Sequence, residues 1–111
     1  MSLLNRSEIL DAADRTFVDV EVPEWGGQVR VGVMTGRQRM LLQMAMEKDR
    51  EGFIEQVVAF CCVDAAGEPL FTAADTKALG KKSAAALERV FSVAVEVNGL
   101  TKKAVDDAAG K

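Results

Sequence analysis

The stretch VEVPEWGGQVRVGV, residues 20–33, decides the architecture. On its first side Val18, Val20 and Val22 alternate with Phe17, Asp19 and Glu21. On its second side Val29, Val31 and Val33 alternate with Gln28, Arg30, Gly32 and Met34. Strand side chains point to opposite faces with a period of two, and β-branched residues suit a pleated, half-buried surface. Two strands of similar length are therefore predicted, each with a valine face. Between them Pro23 ends the first strand, because it has no N–H for the ladder. Gly26 and Gly27 can supply a turn at positive φ. Asp19 and Glu21 are expected across from Arg30 on the wet face. The chain's one Trp, Trp25, stands in the turn. Two roles are open to it: a lid folded back on the valines, or a partner contact, since Trp is enriched at binding hot spots.

An isolated hairpin is marginal in water, so its apolar face needs a cover. The rest of the chain reads as helix. Ser7 is expected to cap a short helix, EILDAAD, anchored by Ile9 and Leu10. Thr35 and Gln38 have the spacing of a capping box. The helix they open runs to about Lys48, with Met40, Leu41, Met44 and Ala45 as an apolar stripe. DREG, residues 49–52, interrupts or bends it. FIEQVVAFCCV, residues 53–63, is almost wholly apolar. Its length and Glu55-Gln56 favour a buried helix, though periodicity alone leaves a strand open. DAAGEP, residues 64–69, is a turn. Thr72 caps a short helix ending near Gly80. Ser83 caps a longer one in which Leu87, Val90, Phe91, Ala94 and Val97 form a core stripe. Asn98-Gly99 stops that helix, and Leu100 can fold back on its last turn. A weak final helix starts at Thr101. The ends, 1–7 and 103–111, are expected to be loose. The fold class is α+β, mainly α: one domain, residues 1–111, with an N-terminal β-hairpin packed against a bundle of about four or five helices.

The totals narrow the function. A length of 111 residues suits one domain, and 49% hydrophobic with 28% charged residues is globular rather than disordered. The net charge is −3, and Lys81-Lys82, the densest basic run, is not a patch, which argues against nucleic-acid binding. A helix-turn-helix over PLFTAADTKALGKKSAAALERVF fails on the same ground. Its second helix offers Ala84, Ala85, Ala86 and Glu88 with a single Arg89. No apolar run approaches the ~20 residues of a membrane span, and the N-terminus lacks the hydrophobic block of a secretion signal. A disulfide between the adjacent Cys61 and Cys62 would be strained. They read as two buried thiols in a reducing, cytosolic compartment.

The residues for chemistry are missing. There is no His and no Tyr, so the commonest general base and metal ligand is absent. The paired Cys lack the companions of a zinc site. Gly36-Arg37 and Gly80-Lys81 lack the spacing of a phosphate-binding loop. The acidic clusters, Asp106-Asp107 and Glu47/Asp49/Glu51, read as solvated faces. No catalytic residue, metal site or cofactor is expected, and the chain is not read as an enzyme. What remains is interaction surface. Met40 and Met44 lie one turn apart beside Leu41, and Met serves adaptable binding faces as well as cores. With Trp25 these three are the candidate partner-binding residues.

Taken in order, four elements resemble a known family. They are P-x-W-G-G at 23–27, D-x-x-G-x-P-L-F at 64–71, L-G-x-K-S-A-x-A-L at 79–87 and N-G-L at 98–100. Over roughly residues 16–101 the chain resembles the tail assembly chaperones of long-tailed bacteriophages and their prophages. The resemblance implies a non-enzymatic protein of the host bacterium's cytoplasm. It would bind the long, helical, hydrophobic tape measure protein and keep it soluble while the tail tube assembles. It would be absent from the finished virion and would self-associate into a homo-oligomer. Many such proteins are also made as a longer form by ribosomal frameshifting, through which the tail tube protein could be reached, and an end at Gly110-Lys111 would suit the short form. The alternative on the same outline is a structural virion component, such as a head–tail joining or minor tail protein.

Overall fold

The computed structural model describes residues 3–48 and 52–100. The elements run α1 (Arg6–Asp11), β1 (Phe17–Val22), a 3-10 turn (Pro23–Trp25), β2 (Gly27–Gly32), α2 (Gly36–Lys48) and α3 (Phe53–Cys61). Then come β3 (Cys62–Val63), a second 3-10 turn (Ala73–Asp75), α4 (Thr76–Leu79) and α5 (Ala84–Val97). The expected class is observed: a small antiparallel sheet near the N-terminus packed against helices.

The hairpin has the predicted register. Val18 pairs with Val31, Val20 with Val29 and Asp19 with Arg30. The Asp19–Arg30 pair closes at 2.7 Å, and the guanidinium holds the Asp19 carboxyl below its ordinary range. Glu21 lies opposite Gln28 instead. Pro23 opens the turn, and Gly26, at φ +75°, closes it by donating to the Pro23 carbonyl at 3.0 Å.

The alternation fails at the far end. β2 stops at Gly32, and Met34, expected on the wet face, is buried. Once the chain leaves the sheet, the two-residue period no longer fixes which way a side chain points. Gly32 is opposite Phe17, and a Cβ there would sit 2.6 Å from the Phe17 ring, so the aromatic covers a space that glycine leaves.

The sheet has a third strand that the sequence left open. α3 ends at Cys61, and Cys62–Val63 is extended, pairing Arg30 with Val63 and Val31 with Cys62. The following turn explains the switch. Asp64 Oδ1 accepts from the Ala66 and Glu68 amides, the chain reverses, and Leu70 N–H donates back to the Cys62 carbonyl at 3.0 Å. Asp side chains stabilise turns in this way, and the reversal brings Leu70 back beside Cys62.

Other boundaries follow their caps. α1 is capped by Asn5, not Ser7. Asn5 Oδ1 accepts from the Glu8 amide, and Glu8 Oε1 accepts from the Asn5 amide, each at 2.9 Å. Asn-x-x-Glu is the reciprocal box, whereas Ser7 has Leu10 at the third position. Ile9 and Leu10 are exposed and anchor nothing within the described residues. The Thr35–Gln38 box opens α2 as expected. Thr72 donates its N–H to Asp75 Oδ2 at 2.8 Å, but a 3-10 turn precedes the helix proper. Ser83 caps α5. That helix ends with Gly99 at φ +65°, Gly99 N–H on the Glu96 carbonyl and Leu100 N–H on the Val95 carbonyl. This is the Schellman pattern that Asn98-Gly99-Leu100 foreshadows. Most of the DREG interruption, the weak helix from Thr101, the expected loose end 103–111 and residues 1 and 2 lie outside the described residues; the expectation of a loose 1–7 is corrected at Asn5, Arg6 and Ser7, which cap and open α1.

The core lies where α5 crosses the hairpin and packs on α3. Val22, Val31, Val57, Val58 and Val90 are fully enclosed, with Leu42 and Met46 reaching in from α2. Phe53 and Phe91 meet edge to face, 5.8 Å between centroids. Fully burying such a side chain contributes roughly 1.5–3 kcal/mol. At the junction of three elements stands Asn98. Its Oδ1 accepts from the Met34 amide at 2.7 Å, and its Nδ2 donates to the Ala94 carbonyl at 2.8 Å and toward Cys61 Sγ at 3.4 Å. Burial pushes the Cys61 thiol up to about 11 and the Cys62 thiol up to about 12, so both stay protonated at neutral pH.

Two outcomes are expected. Asn98→Ala strands the Met34 amide and should cost about 1–3 kcal/mol, read from urea denaturation. Both thiols should resist alkylation in the native protein at pH 8 and react fully in denaturant. Their raised values also mean that the folded state holds protons the unfolded chain releases, so stability present below pH 9 should decline as pH rises through 11 and 12.

Candidate docking surface

α2 is apolar on two sides. Leu42 and Met46 turn inward, while Met40 (50% exposed), Leu41 (42%) and Met44 (54%) turn out. Of the predicted stripe only Ala45 packs against the core. The helix period explains the split: Leu42 and Met46 are one turn apart, as are Met40 and Met44, on a different side. The core-filling role open to these two methionines passes to Met46.

Beside this ridge runs a groove of about 230 Å³. Leu41 forms one wall, Ala59 and Phe60 of α3 contribute a second, and Pro69 and Phe71 of the loop after β3 complete it. Gln38, Gln56, Thr72 and Thr76 supply the polar margin. The loop is held by the Asp64 turn, by the Val63–Pro69 bridge and by the Thr72–Asp75 bond, so Phe71 is positioned by local hydrogen bonding. Phe71 is partly buried against the core and also lines a second, shallower cleft with Trp25, Leu79 and Lys82.

Trp25 sits in the 3-10 turn, partly buried and packed against the core cluster. The turn is fastened by Glu24, whose carboxylate makes a two-pronged ion pair with Arg89 of α5, one contact at 3.1 Å. The guanidinium holds the Glu24 carboxyl below its ordinary range. The ring is thus a lid over part of its area and a cleft wall over the rest. The four predicted residues fall into two places: Leu41 on the groove with Met40 and Met44 on the adjoining ridge, and Trp25 on the neighbouring cleft. Phe71 joins the two.

Phe71 and Phe60 were not among the residues singled out from sequence. The available signal was Leu70-Phe71, two large apolar residues outside any helical stripe. The surface is apolar and shallow. The groove's lining is apolar and its polar groups are neutral amides and hydroxyls, while the Trp25 cleft also carries Glu24 and Lys82; the buried, protonated thiols are poor nucleophiles. Among the described residues no group of three or more His, Cys, Asp or Glu is placed to hold a metal ion, and no helix is long and apolar enough to cross a membrane.

No family model matches the sequence, and no curated protein matches it. Among solved structures the fold is similar to that of the tail assembly chaperone of bacteriophage HK97. The likeness covers 86% of this chain and 95% of that one, with a TM-score of 0.64 and 16% sequence identity. At that identity it establishes a shared architecture.

The two halves of the surface should respond differently to mutation. Met40→Gln and Met44→Gln should each leave stability within about 0.5 kcal/mol, as for exposed sites. Trp25→Ala should cost about 1–3 kcal/mol, less than the ~3–5 kcal/mol of a fully buried aromatic. Denaturant melts followed by circular dichroism check both.

Proposed function

We propose that this chain is a phage tail assembly chaperone that grips the apolar face of a long helical client, the tape measure protein, and keeps it soluble until the tail tube encloses it. One observation carries the reading: Met40, Leu41 and Met44 lie exposed on α2 beside a groove lined by Phe60 and Phe71, on a fold shared with a tail assembly chaperone. The order of the P-x-W-G-G, D-x-x-G-x-P-L-F and N-G-L elements supports the same assignment.

The physics of the face fits such a client. An amphipathic helix docks by anchors at i, i+3, i+4 and i+7 laid into an apolar groove. Many segments of a long hydrophobic helix present that spacing with different side chains. A ridge carrying two methionines adapts to them, because an unbranched thioether can change rotamer at little cost. A neutral polar margin lets the client leave again. The work takes place in the host cytoplasm and involves no bond-making step, cofactor or nucleic acid.

Co-expression with a phage tape measure protein tests the reading. The client should move from the pellet to the soluble fraction and co-purify with this chain. The double variant Met40→Glu/Met44→Glu should reduce capture at least tenfold while melting like the wild type. A client equally insoluble with and without the chain would sink the proposal. Finding the chain as a stoichiometric part of purified particles would favour a structural tail component.

A further inference from the structure

The sheet runs in the order β1-β2-β3, so β1 has a strand beside it on one side only. The Thr16 carbonyl accepts from the Val33 amide at 3.1 Å, and 16 opposite 33 continues the register of the hairpin. Antiparallel pairing alternates bonded and non-bonded positions. Val18, Val20 and Val22 therefore direct their N–H and C=O groups to β2, while those of Phe17, Asp19 and Glu21 point away from the sheet. Among the described residues no backbone group bonds to these three, and all three are exposed. Natural edges are blunted by Pro, by bulges, by a covering segment or by charge. From Phe17 to Val22 the register has no bulge, and Pro23 stands beyond its end. What β1 does carry is charge of one sign. Asp19 is answered by Arg30, but Glu21 lies opposite the neutral Gln28 and makes no ion pair among the described residues.

We propose that the free edge of β1 takes up an extended segment of a partner protein, basic on one face and apolar on the other, as a fourth strand. Backbone hydrogen bonds hold such a strand, and its alternate side chains decide which segment fits. A residue directly opposite Asp19 or Glu21 shares their face. Lys or Arg there adds an opposite-charge pair, and an acidic residue meets a like charge. Opposite Phe17 the preference is neutral, because the Arg15 guanidinium already lies over that ring, 5.3 Å from its centroid. The intervening residues fall on the face of Val18, which is 42% exposed beside the buried Val20 and Val22. An apolar side chain there shields Val18 from water.

Two other occupants are disfavoured. A second copy of β1 laid antiparallel about Asp19 or Val20 would set carboxylate against carboxylate. A helix has its own N–H and C=O groups already engaged and offers none to an edge. The edge is a different place from the α2 groove, and the proposal does not rest on the chaperone reading.

The test follows the amides of the full-length, isotope-labelled chain by nuclear magnetic resonance. Without ligand, the Phe17, Asp19 and Glu21 amides should exchange quickly with solvent and those of Val18, Val20 and Val22 slowly. The probe is a capped seven-residue peptide that alternates Thr or Lys with Val, its two lysines central. At millimolar concentration it should shift the three outward amides and slow their exchange severalfold. Residues directly opposite Asp19 and Glu21 are the lysines, so N-methylation of both lysines removes bonds to β1 and should abolish the effect. N-methylation of two valines alters only the peptide's outer edge and should leave it. A peptide with Glu in place of Lys should bind at least threefold more weakly. Glu21→Lys, at an exposed site, should melt like the wild type and reverse that order. Outward amides unmoved at saturating peptide, shifts confined to the α2 groove, or equal binding of the lysine-methylated peptide would overturn the proposal.

Discussion

Everything in this structure follows from one constraint: a two-stranded ribbon cannot bury its own apolar face. Val20, Val22 and Val31 offer that face, and a hairpin alone would leave it in water. α5 supplies the cover and α3 supports α5 from behind. The same constraint accounts for β3. The free edge of β2 takes up Cys62 and Val63, which extends the sheet and carries the chain from the back of the core to the loop that bears Phe71. Asn98 closes the arrangement, because a side chain with both donor and acceptor can tie a strand end to a helix end at once.

The parts legible in the sequence were those governed by local rules. The strand register, the Thr35 and Ser83 caps and the Gly99 termination all depend on residues within a few positions of one another. So does the Asp19–Arg30 pair once the register is set. The parts that were not legible depend on distant partners. An all-apolar run such as VVAFCCV satisfies a helix and a buried strand equally well, and only the Asp64 turn decides where one becomes the other. Asn98 reads only as a helix stop, because the bond it accepts from Met34 joins residues 64 positions apart in the sequence. Ser7 yielded to Asn5 because two caps competed and only one had a glutamate three residues on.

The candidate surface shows the same division. RMLLQMAM places apolar residues around more of a helix than a core contact needs, so Met40 and Met46 look alike in sequence. A helix apolar on two sides has either two neighbours or one neighbour and one vacancy. Here Leu42 and Met46 meet the body, and the other side meets solvent. Trp25 packs in part against the core cluster and in part lines a cleft, because a ring in a tight turn has one side toward the body and one toward solvent.

The modest depth of this surface limits what one copy can do. Burying a Leu or Met side chain completely contributes roughly 1.5–3 kcal/mol, and residues already half-covered can gain only about half of that. Association itself costs on the order of 4–15 kcal/mol in lost freedom. A few such residues therefore hold a helix weakly, and a single copy would release it quickly. Weak sites become effective when they are linked, since a client bound at one is presented to the next at high effective concentration. A shallow ridge of half-exposed methionines suits a contact made many times over and released each time, which one deep pocket would not allow.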